Sequence, residues 1–205
     1  MGLAGYDLLD WEKDVLDQWL EHKDGRLTRQ AAALICSRRN GKTLLLIARM
    51  LFGMLAMPNP ERRVTFTAQD GKTAMEVFET MVGIVEAPVF APYVEHVRMA
   101  NGQQRIDFRT PTHRARFRPS TRTGSAGRGM ETDLLVLDEG MMLTPELSAL
   151  TPLVAKAQAG GRGQIITTSS AGLPSSLVLT AMRDRGRLLT GTDGKGLAYH
   201  ELSLI

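Results

Sequence analysis

A single cysteine in 205 residues excludes an internal disulfide, and four scattered histidines (His22, His96, His113 and His200) have no zinc-binding spacing. Aromatic residues are scarce at 5%, so the core must be mostly aliphatic, with the 11 methionines as adaptable filler. Long hydrophobic runs are missing too. The apolar run Leu44–Ala48 stops at Arg49, and no stretch approaches the roughly 18 residues that cross a membrane. The opening residues Met1–Asp7 carry no basic segment ahead of an apolar one, so no signal peptide is expected. Low-complexity tracts and internal repeats are absent. What remains, 43% hydrophobic and 23% charged, is the composition of a globular chain and excludes wholesale disorder. The expectation is a soluble, intracellular protein of one domain with an appendage.

Net charge is only +3, but the positive charge is unevenly placed. Arg105, Arg109, Arg114, Arg116, Arg118, Arg122 and Arg128 face a single acid, Asp107, within the same stretch. Such a cluster is either a solvated basic face or a contact for a polyanion.

Periodicity predicts an amphipathic helix over 7–23, ended by Gly25, then a short strand over Ala31–Ile35. A polar loop at 37–41 leads into a helix from Lys42 to about Met57, closed by Pro58 and Pro60. Further strands are expected at Arg63–Thr67, Leu134–Leu137 and Gln164–Thr168, and helices over 70–86, 146–158 and 175–189. Three short strands near 94–99, 104–108 and 114–118 form an antiparallel excursion. In the last of these, Arg114, Arg116 and Arg118 alternate with Ala115 and Phe117, which puts the arginines on one face. Strands alternating with helices predict an α/β fold with a mainly parallel central sheet flanked by helices.

Two segments carry chemistry. Cys36-Ser37-Arg38-Arg39-Asn40-Gly41-Lys42-Thr43 matches the second half of the phosphate-binding loop G-x-x-x-x-G-K-[ST], with Cys36 at the place of the first glycine. In such a loop, backbone N–H groups and a helix N-terminus cradle phosphate, the lysine reaches the β/γ-phosphates and the hydroxyl binds Mg²⁺. Leu134–Leu137 is an aliphatic strand ending in Asp138 and Glu139, the pair that a metal ion and an attacking water need at a sheet edge. A third strand, Ile165 onward, ends in the hydroxyls Thr168 and Ser169, which fit either a γ-phosphate sensor or an ordinary strand-to-helix turn.

Together these residues resemble the ATPase domain of the large terminase subunit, the DNA-packaging motor of tailed bacteriophages. Its deviant phosphate loop is matched by Ser37–Thr43, its acidic strand by Leu134–Glu139, and its Thr/Ser-rich coupling motif by Thr167–Gly172. The segment Leu9–Leu16, with Trp11 and Glu12, resembles the family's adenine-side segment, where Trp-Gln is usual. Thr67-Ala68-Gln69-Asp70 also fits. The resemblance implies a P-loop NTPase fold of the ASCE (RecA-like) type, with ATP and Mg²⁺ as cofactors. Residues 1–190 would form the ATPase domain, and 191–205 a linker toward a nuclease domain absent from this chain. It further implies that Ser37, Arg38, Arg39, Asn40, Gly41, Lys42, Thr43, Trp11, Glu12 and Gln69 bind ATP, and that Thr43 and Asp138 hold the metal. Glu139 activates water, Arg38 engages phosphate, Arg128 is an arginine finger for a neighbouring subunit, and Thr168 and Ser169 couple product state to movement. The implied partners are double-stranded DNA, the portal protein, the small terminase subunit and further copies in a ring, expected to be pentameric. The implied location is the host cytoplasm on the procapsid, not the mature virion and not a membrane. Arg114, Arg116 and Arg118 are candidate DNA contacts. The competing readings are a non-catalytic nucleic-acid-binding module with a degenerate loop and a helicase- or recombinase-like ATPase.

Overall fold

Continuous aliphatic runs build the centre of the fold. In the computed structural model, which describes residues 2–3, 5–121, 131–145, 163–189 and 197–202, these runs become strands buried on both faces. They are β5 (Ala31–Cys36), β6 (Arg63–Ala68), β10 (Leu134–Leu137) and β11 (Gln164–Ser169). With β7 (Val94–Arg98), β8 (Arg105–Arg109), β9 (Arg114–Thr121) and β12 (Leu197–Leu202) they form one eight-stranded sheet, ordered β12-β5-β11-β10-β6-β9-β8-β7. Every pairing from β12 through β9 is parallel, and β9-β8-β7 is antiparallel. The expected α/β architecture and its antiparallel excursion are both present. The helix expected over 146–158 and the candidate finger Arg128 lie outside the described residues.

Helices α2 (Lys42–Leu55) and α3 (Gly71–Val85) supply much of the core. Leu45, Leu46, Ile47, Met50, Leu51 and Met54 are all buried, so α2 is apolar nearly all round and belongs inside rather than at the surface. Phe78 of α3 stacks on Phe117 of β9, with ring centroids 6.4 Å apart. Ala115 and Phe117 are buried while Arg114, Arg116 and Arg118 are exposed, so the period-two reading of β9 holds. A smaller cluster of Leu135, Leu137 and Leu143, with Ile165 and Val178 packed against it, lies apart from this main core. Val178 belongs to α4 (Leu177–Leu189).

Two segments differ from expectation. The first helix is shorter, α1 (Asp10–Trp19), because tight turns bend the chain on either side of it. Gly5, Asp24 and Gly25 all take positive φ, at 97°, 53° and 73°. The flanking residues join two-residue ribbons, β1 (Gly2–Leu3) with β2 (Tyr6–Asp7) and β3 (His22–Lys23) with β4 (Arg26–Leu27). The expected linker over 191–205 contains β12, which adds to the sheet beside β5 in register Leu197↔Ala31 through Leu202↔Cys36. Burial of Leu197 and Ala198 favours this strand, and α4 locks it. Gly186 lies against the Tyr199 ring, where a Cβ would overlap it, and Arg187 donates to both oxygens of Glu201 at 2.9 and 2.7 Å.

One charged network is fully buried. Arg49 of α2 donates from Nη1 and Nη2 to the two Glu61 oxygens at 2.9 and 2.6 Å. Its Nε and Nη2 also donate to Gln164 Oε1 at 3.0 and 2.9 Å. The Gln164 amide then donates to the carbonyls of Trp19 and Arg29, both at 2.8 Å. One cluster thus ties α1, α2 and the start of β11 together.

Candidate nucleotide site

The parallel strands bring their C-terminal ends to one edge, and most of the sequence-selected residues gather there. Strand β5 ends at Cys36, the chain turns through Ser37–Gly41, and α2 begins at Lys42. The turn is made by Arg39 at φ 65° and Gly41 at φ 82°, and the Asn40 amide donates to Ser37 Oγ at 2.6 Å. A left-handed non-glycine residue such as Arg39 costs about 1–2 kcal/mol, strain typical of a loop shaped for a ligand. A helix leaves the N–H groups of its first turn without helical partners, and here that turn starts with Lys42 and Thr43. Arg38, Arg39 and Thr43 are exposed, and Lys42 is half-buried.

Cys36 is buried, in keeping with a packing role at the first-glycine position. Burial pushes its thiol up, Lys42 opposes that shift, and Asp138 and Glu12 reinforce it. A raised, inaccessible thiol is an inert one. The same interactions also put Lys42, Asp138 and Glu12 around one strand tip.

Strand β11 lies between β5 and β10, so the hydroxyl-bearing strand separates the loop from the acidic pair. Asp138 is held on three sides. Its N–H donates to the Thr67 carbonyl at 2.9 Å, and its Oδ1 accepts from Thr168 Oγ1 at 2.7 Å and from the Glu139 N–H at 2.9 Å. Glu139 itself is left-handed, at φ 55° and ψ 47°, and its Oε2 accepts the Gln69 N–H at 3.0 Å. Ser169 Oγ accepts the Met141 N–H at 3.0 Å. The tips of β6, β10 and β11 are therefore cross-linked by hydrogen bonds around two carboxylates.

Trp11 is half-buried against the core, and the Glu12 carboxyl packs on Gly41 of the loop. Sequence reasoning passed over Gly140, where a Cβ would come within 2.7 Å of Thr167 Cγ2, although the Asp-Glu-Gly order carries a local hint of it. It singled out Thr67 within the Thr67–Asp70 segment but not its role, anchoring Asp138 through its carbonyl, which only strand register discloses. Arg114, Arg116 and Arg118 do not join this edge. Arg116 and Arg118 stand beside Arg63 and Thr65, near the opposite end of β6 from Ala68. There Arg114 pairs with Glu95 at 2.8 Å and Arg116 with Asp107 at 2.5 Å. Arg118 has no ion pair among the described residues, and Arg116 and Arg105 lie close enough to lower its pKa once burial has begun the shift. Arg114, Arg116 and Arg118 line a cavity of about 600 Å³ with Arg62, Arg63 and Glu131.

No protein-family model matches this chain, and no curated protein matches it in sequence. Solved structures do match it. The chain is similar to the HK97 bacteriophage large terminase, with a TM-score of 0.72 at 18% identity over 95% of this chain and 39% of that one. It is similar to the large terminase ATPase domain of Thermus phage P74-26, with a TM-score of 0.65 at 17% identity over 98% and 83% of the two chains. A large terminase from a thermophilic bacteriophage, solved in complex with ADP, matches with a TM-score of 0.66 at 12% identity over 96% and 46%. The chain thus has the fold of the phage large terminase ATPase domain, while spanning 39% of the HK97 protein's length. Among the described residues, no helix is long and apolar enough to cross a membrane.

Proposed function

We propose that this chain is the ATP-hydrolysing motor domain of a phage genome-packaging terminase, driving double-stranded DNA into a procapsid. The observation that carries this reading is the Asp138–Glu139 pair, oriented by Thr168 and Gln69 at the sheet edge that also holds the Ser37–Thr43 loop. ATP lies on that loop, with Lys42 and Arg38 on its phosphates and Ser37, Arg39, Asn40 and Gly41 shaping the cradle. Thr43 and Asp138 offer a hydroxyl and a carboxylate, hard oxygen donors that suit Mg²⁺, which when bound would neutralise phosphate charge. Glu139 takes the proton of the attacking water as the new P–O bond forms and the β–γ bridge breaks, releasing ADP. The Gln69 N–H on Oε2 holds that base in place before substrate arrives.

Thr168 and Ser169 couple the product state to movement in this reading, since one bonds Asp138 and the other the Met141 N–H after it. Arg128, outside the described residues, is proposed as the finger completing a neighbour's site. The whole-protein partners follow from the same reading: further copies in a pentameric ring, a portal, a small terminase subunit and a nuclease domain beyond this chain.

The arginine face supplies the DNA contacts. Its test is ATP turnover with and without double-stranded DNA, alongside DNA affinity over a salt series. DNA is expected to accelerate turnover, and changing Arg114 and Arg118 together to Ala should reduce the salt slope by about 2 without sequence preference. Turnover indifferent to DNA, or an unchanged slope in the double variant, contradicts the assignment.

A further inference from the structure

Glu12 is buried, whereas Asp10, Asp14 and Asp17 on the same helix stay exposed. Its Oε2 accepts the Leu9 N–H at 2.8 Å, which folds the side chain back over the helix start. Its Oε1 sits so close to Gly41 that a Cβ there would overlap it. Gly41 opens α2 in a left-handed conformation, so a carboxyl from α1 rests on the residue where the phosphate loop becomes its helix.

Beyond its own helix, Glu12 shares this strand tip with Cys36 at the end of β5, whose thiol senses Lys42 at the start of α2, Asp138 after β10 and Glu12 itself. Burial and the Leu9 N–H are what act on the Glu12 carboxyl directly. On its own helix, Asp10 and Lys13 pair with each other at 2.8 Å near the surface. Burial pushes the Glu12 carboxyl above the ordinary carboxylate range, and the Leu9 N–H opposes that shift only in part. A polyanion on the Gly41–Thr43 backbone would add negative charge beside a carboxylate already short of water. Protonation of that carboxylate is the relief that needs no rearrangement of the loop.

Resting on the nucleotide reading above, we propose that Glu12 links nucleotide binding to proton uptake, its carboxyl being held protonated while a nucleoside triphosphate occupies the loop. Between the free and the bound pKa, each binding event takes up a proton on Oε1, the oxygen that Leu9 does not engage. Below that window both forms are already protonated; above it neither is, and affinity is weakest. Triphosphate affinity therefore falls as pH rises through the window.

The test is a calorimetric titration of the full chain with Mg²⁺ and the slowly hydrolysed analogue ATP-γ-S, from about pH 5 to about pH 8.5, in buffers of differing ionisation heat. The wild type and Glu12→Gln are compared. Glutamine keeps the shape and still offers an acceptor to Leu9, and the nucleotide's own ionisation cancels in the difference. Wild type is expected to take up protons and to lose about tenfold in affinity across the range. The variant is expected to lack that component and to bind about tenfold more tightly at the alkaline end. Wild-type binding that takes up no more protons than the variant's overturns the inference. Absence of binding in both, at every pH, overturns the nucleotide reading and this inference with it.

Discussion

Glu139→Gln is expected to lower ATP turnover by about two to four orders of magnitude while Mg-ATP still binds. Glutamine keeps an oxygen to accept the Gln69 N–H now held at 3.0 Å, so the left-handed turn and the neighbouring Asp138 geometry survive. The change removes only the ability to accept a proton from water. Binding measured by nucleotide titration, and turnover measured by phosphate release, separate the two contributions. A variant that hydrolyses at the wild-type rate takes the base role away from Glu139. A variant that loses binding as well reassigns the residue to holding the nucleotide.

Glu61→Ala is expected to cost about 3–5 kcal/mol of stability. Arg49 is fully buried, and without Glu61 its charge keeps only the Gln164 amide oxygen as an acceptor among the described partners. A buried charge left without its counter-ion is far more costly than an exposed pair is worth. For a chain of this size the melting temperature should drop by roughly 10 °C. Replacing both members, Arg49→Met with Glu61→Leu, should recover much of the loss, because the uncompensated charge disappears with its partner. The urea midpoint is the measurement. A loss under about 1 kcal/mol for Glu61→Ala contradicts a dry, mutually dependent pair. The consequence reaches function, since the network fixes α2 to the start of β11 and to the end of α1.

Features written in consecutive residues were legible. The Ser37–Thr43 loop between a strand and a helix, the aliphatic Leu134–Leu137 strand and the alternation on β9 all stand where periodicity places them. Features set by tertiary contact were not. Arg49 interrupts an apolar helical run, and nothing local announces that the fold buries it beside partners 12 and 115 residues away. β12 was hidden by the glycines at 191, 194 and 196, which read as a linker and mask the short apolar segment after them. Its partner strand β5 lies more than 160 residues earlier in the chain, so no local pattern announces the pairing. The close approach of Glu12 to Gly41 is likewise a contact between distant segments. A carboxylate in the first turn of a helix is ordinarily a surface residue that favours the helix dipole.

In the proposed function the Ser37–Thr43 loop binds ATP for hydrolysis at this sheet edge. The most direct test is Mg²⁺-dependent phosphate release from ATP by the wild-type chain and by Lys42→Ala, at high protein concentration and with nucleotide affinity measured in parallel. The predicted result is magnesium-dependent turnover by the wild type, with both affinity and turnover collapsing when the Lys42 ammonium is removed. Equal rates in the two proteins, or a wild-type chain that binds no nucleotide, would contradict it.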